Sequence, residues 1–70
     1  MTEIIFVVEE DETGGYTARA LGEDIFAEAE TRKELATSAK EAVRCHFSDR
    51  PEELPRVIRL HYVHDEVVAI

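Results

Sequence analysis

Tryptophan is absent from this chain, cysteine and methionine occur once each, proline twice and glycine three times. A single cysteine, Cys45, rules out an internal disulfide, the usual staple of very small domains. With so little glycine there is no phosphate cradle of the kind that nucleotide and diphosphate cofactors require. The longest apolar run, Ile4 to Val8, is far too short to cross a bilayer as a helix and has no basic leader. The lone thiol and the missing export signal together lead us to expect a cytoplasmic protein. Basic residues are scarce as well: 8 Lys and Arg against 16 Asp and Glu give a formal charge of −8. That balance disfavours sequence-independent nucleic-acid binding, which depends on cations displacing counterions from phosphates. It suits a basic protein partner, whose encounter it would speed.

What is present fits one domain spanning residues 1–70. A chain of this size buries only about 60% of its unfolded surface, so good local geometry or self-association has to supply stability. Residues 3–9 form an unbroken β-branched and aromatic run, the first strand. The glycines of the following Glu10-to-Gly15 segment admit a turn with positive φ. Residues 16–21 alternate, with Tyr16, Ala18 and Ala20 on one face and Thr17, Arg19 and Leu21 on the other. After Gly22-Glu23-Asp24, residues 25–30 make a third strand and complete an antiparallel meander.

Thr31 stops the sheet and starts a helix over residues 32–47. Its hydroxyl caps the first turn and Glu34 reaches back, a capping box. The apolar stripe runs Leu35, Ala39, Ala42, Val43 and His46, with Ala36 and Phe47 at its margin, and Lys33, Thr37, Lys40, Glu41 and Arg44 opposite. Pro51 and Pro55 break the polar loop that follows, and Pro51 to Leu54 can form a single helical turn. Residues 57–63 alternate again as a fourth strand, and Val67 to Ile70 reads as a short extra extended piece. The fold class is therefore α+β, β-β-β-α-β. The right-handed crossover rule puts the last strand beside the first and parallel to it.

This arrangement leaves an imbalance. Both sides of the central first strand are apolar, yet one helix covers only one face. The expected association surface is Ile5 and Val7 with Phe26 and Val57, and the expected assembly is a homodimer. A fold-back of Val67 to Ile70 over that surface is the competing reading.

Catalytic patterns are weak. The middles of the first and last strands, Ile5-Phe6-Val7 and Arg59-Leu60-His61, offer no carboxylates for a two-metal nuclease site. Glu9 to Glu12 lacks the spacing of a calcium loop. Cys45 and His46 diverge by about 100° on the helix, and His61 and His64 fall on opposite sides of an extended segment. No catalytic, cofactor or metal residue is assigned, and no cofactor is expected. Arg56, Arg59, His61 and His64 form a mildly basic stretch best used for salt bridges across the sheet or to a dimer mate.

The chain resembles the HicB-like antitoxin family. The matching elements are Gly14-Gly15-Tyr16 with its alternating strand, the strand entering Glu30-Thr31, then Glu34-Leu35 and Lys40-Glu41-Ala42 on the helix. The resemblance covers residues 3 to 47 and lies in the order of short motifs. It implies a partial ribonuclease-H-like fold without nuclease activity, and a protein that binds and blocks a small basic ribonuclease toxin of the HicA type. DNA binding in that family belongs to a further C-terminal domain; with the sequence stopping at Ile70, neither that domain nor direct DNA binding is expected. The second-to-third-strand loop, shortened to Leu21-Gly22-Glu23-Asp24, and Ser38 in place of the usual Asn depart from the family pattern. The expectation is a non-enzymatic interaction domain with no membrane partner; the alternative is an orphan accessory domain that binds a small ligand.

Overall fold

The computed structural model describes residues 2–70. Strands β1 (Glu3–Glu10), β2 (Tyr16–Ala20) and β3 (Phe26–Ala29) form the meander. Helix α1 (Arg32–His46), a 3-10 turn (Pro51–Glu53) and strand β4 (Val57–Val63) follow. The sheet order is β3-β2-β1-β4, with β4 parallel to β1 and the other pairs antiparallel. The expected β-β-β-α-β fold is thus the one formed.

Each junction has a local cause. At the first hairpin the Asp11 N–H donates to the Gly15 carbonyl at 2.7 Å and the Gly14 N–H to the Asp11 carbonyl at 2.9 Å. Gly14, at φ 103°, and Gly22, at φ 83°, take left-handed backbone that a Cβ would strain. Thr31 sits in extended conformation and accepts from the Glu34 N–H at 3.1 Å. Glu34 closes the capping box differently from expectation: its carboxylate accepts from the Thr31 hydroxyl at 3.0 Å, not from the backbone.

The core lies between α1 and one sheet face. Ile4, Phe6 and Val8 of β1 meet Leu35, Ala39 and Val43 of the helix, while β2 and β3 contribute Ala18, Ala20 and Ala27. Small residues on β2 and β3 let the helix approach closely there. The helix accordingly lies mainly against β3 and β2 and only lightly against β4. Ile58, Leu60 and Tyr62 face the helix side but stay half-buried.

Three local expectations are corrected. Phe47 is not marginal: it caps the helix through its N–H to the Val43 carbonyl at 3.1 Å and its ring is buried. β3 begins at Phe26, yet Ile25 is buried just before it, where the Ala20 N–H donates to its carbonyl at 3.0 Å. Residues 64–70 form no strand. Val67 is 95% exposed and Val68 75%, so this segment neither joins the sheet nor folds back over it. A tight hairpin at Asp65-Glu66 would need positive φ, and no non-glycine residue among those described adopts it.

Candidate interaction surface

Alternation along four strands decides what the uncovered face presents. In β1 the even residues Ile4, Phe6 and Val8 turn under the helix, so Ile5 and Val7 turn away from it. The register carries this across the sheet: Phe26 stands opposite Arg19, Arg19 opposite Val7, and Val7 opposite His61. One row further, Ile5 lies opposite Arg59, and its carbonyl accepts from the Leu21 N–H at 2.9 Å. Glu3 and Val57 begin the parallel pair.

All four residues expected at an association surface therefore lie on one face. Ile5 and Val7 occupy its centre and are half-buried, while Phe26 and Val57 are exposed on the two edge strands. The apolar path runs diagonally from Phe26 to Val57, with Arg19 and Arg59 between its branches. Leu21 and Val63, also exposed, extend it. The alternation already put Leu21 on this side, but its position next to Ile5 needed the register.

The basic stretch on β4 divides between roles. The Arg59 guanidinium pairs with the Glu3 carboxylate across the parallel strands. His61 lies exposed on the open face beside Val7, and His64 follows the strand. His46, at the rim of the core, donates from Nε2 to the Glu23 carboxylate at 3.1 Å and sets its ring edge-on to Phe47. Cys45 is exposed. Among the described residues no three His, Cys, Asp or Glu side chains gather as a metal ion would require.

At the end where β1 and β4 finish, Glu9, Glu10, Asp11, Glu12 and Asp65 line one shallow groove. At the same end, where α1 starts, Arg32 lies over the Tyr62 ring at 4.3 Å, and Tyr62 meets Tyr16 edge-on with centroids 6.0 Å apart. Among the described residues no helix is long and apolar enough to cross a membrane.

A mixed four-stranded sheet, clad by one helix on one side and bare on the other, makes this a small α+β domain with an unpartnered sheet face. The chain belongs to the UPF0150 family. It is 35% identical over 68 residues to a UPF0150 protein of Thermotoga maritima, a match spanning 97% of this chain and 93% of that protein. A UPF0150 protein of Archaeoglobus fulgidus is 52% identical over 46 residues, 66% of this chain and 68% of that one. No protein-family model matches the chain, and no solved structure does.

Proposed function

We propose that this protein is a non-catalytic, HicB-like interaction domain that pairs with a second copy through its bare sheet face and binds a small basic ribonuclease toxin of the HicA type. The observation that carries the reading is the half-buried Ile5 and Val7 at the centre of a face that no element among the described residues covers. Apolar side chains in the middle of a central strand, ringed by Arg19, Arg59 and Glu3, have the make-up of an interface core with a polar rim. The partner's sign follows from the charge of −8 and from the carboxylates gathered at the β1–β2 hairpin. The antitoxin role rests on the motif order that resembles the HicB-like family.

The test is to read the adjacent reading frame for a short basic protein, co-express it with this chain, and follow with pull-down and an RNA cleavage assay. A stable complex in which cleavage is blocked supports the role. An unbound or uninhibited nuclease removes the antitoxin reading and leaves the sheet-face pairing to be judged from molecular mass alone.

A further inference from the structure

The helix leaves a trough on the other side of the sheet. Because α1 lies over β3 and β2, the helix side of the edge strand β4 is only partly covered. The trough beside it has a volume of about 340 Å³, with Val43, Leu54 and Ile58 in its lining and Lys40, Arg44 and Arg56 around them. Three of the chain's 8 basic residues thus converge on one cleft of a protein carrying −8. Among the described residues none of the three makes a side-chain hydrogen bond or an ion pair. Lys40 and Arg44, four apart on the helix, also repel each other. An apolar lining with uncompensated cations suits an occupant that is both acidic and apolar.

The chain itself carries such a segment. Asp65 and Glu66 precede Val67, Val68, Ala69 and Ile70, all exposed and none of them in a strand. Within one chain the charges cannot meet. Val57 and Val63 lie six residues apart on β4, which is about 20 Å of strand. Arg56 precedes the near end of β4 and Asp65 follows the far end, so a fold-back leaves the two acids at the turn, away from the cations.

We propose that residues 65–70 of a second copy occupy this trough, Asp65 and Glu66 neutralising Lys40, Arg44 and Arg56 while Val67 and Val68 cover Val43, Leu54 and Ile58. Each chain lends its segment and receives its partner's, so the exchange closes as a two-fold pair. This contact uses the helix side of the sheet and is independent of the bare-face pairing.

Two charge-reversed variants of the full chain test it: Lys40→Glu with Arg44→Glu, and Asp65→Lys with Glu66→Lys. All four residues are exposed, so circular dichroism and the melting curve should stay close to those of the parent chain. Both variants are made on a Val7→Asp chain, which lacks the bare-face pairing; in sedimentation velocity each variant alone should then self-associate at least ~10-fold more weakly than that parent, because like charges now face each other. Their equimolar mixture should regain the lost association, since an acidic trough then meets a basic segment and a basic trough an acidic one. Variants that associate like the Val7→Asp parent, a mixture that restores nothing, or a Val7→Asp parent that stays monomeric at high micromolar concentration each overturn the proposal. The unaltered chain run in parallel separates the two surfaces: if it associates while the Val7→Asp parent does not, the bare face is the interface and the exchange is wrong.

Discussion

Phe6 and Val7 are neighbours on β1 and share none of their surroundings. Phe6 is 0% exposed beneath α1, whereas Val7 sits half-buried on the face the chain leaves bare, between Arg19 and His61. Their variants should therefore separate folding from association. Phe6→Ala should cost about 3–5 kcal/mol, a large part of what a small domain has, and shift the urea midpoint accordingly. Val7→Asp should leave the m-value and far-ultraviolet spectrum intact and lower the mass seen by light scattering. An unchanged mass would remove Val7 from the interface.

Thr31 should matter more than its exposure suggests. Its hydroxyl satisfies the Glu34 N–H and engages the Glu34 carboxylate, so the first turn of α1 depends on it. Thr31→Ala should cost about 1 kcal/mol, equivalent to a fall of roughly 4–8 °C in Tm for a domain of this size. Thr31→Ser should restore most of the loss, which a calorimetric scan of the three proteins would show.

Ala39 is 0% exposed and faces a sheet floor made of alanines on β2 and β3. Enlarging it should push the helix off that floor. Ala39→Leu is expected to destabilise by about 1–3 kcal/mol, while Ala42→Leu, at a half-buried position, should cost less. Equal effects in chemical denaturation would contradict the close approach.

The Arg32–Tyr62 stack ties the start of the helix to the far end of β4. A double-mutant cycle with Arg32→Ala and Tyr62→Leu should yield a coupling of about 0.5–1 kcal/mol, as for a largely exposed cation over a ring. Lysine at position 32 should retain part of it. Strictly additive single effects would mean that the stack contributes nothing.

His46 and Glu23 join the end of α1 to the β2–β3 turn through one hydrogen bond at 3.1 Å. Glu23→Ala should destabilise by no more than about 1 kcal/mol, because both groups still meet solvent. Hydrogen exchange at Ala20 and Ile25, which flank the turn, should quicken more than at β1.

Much of this fold is legible along the chain because its signals are local. Alternation in residues 16–21 and 57–63, the glycines at the two turns and the Thr31 cap each concern residues a few positions apart, and the structure forms the elements there, the second strand ending one residue early at Ala20. The edges blurred where burial and strand pairing part company. Ile25 is buried without being in a strand, and Phe47 enters the core through the residue that ends the helix. Val67 to Ile70 has strand composition, but a strand also needs a partner edge and a turn that delivers the chain to it, and neither is coded nearby.

The bare face was foreseeable for a similar reason: a central strand apolar on both sides and a single helix imply it from counting faces. Sequence alone thus settled the order of elements, the side each strand residue takes and the surplus of apolar surface, since all three depend on short-range periodicity. Tertiary structure alone decided where the helix rests across the sheet. Alanines on β2 and β3 admit it closely, which leaves β4 half-clad and gathers Lys40, Arg44 and Arg56 around one trough. Those residues lie up to sixteen positions apart, two on the helix and one in the loop just before β4, and only packing brings their charges together.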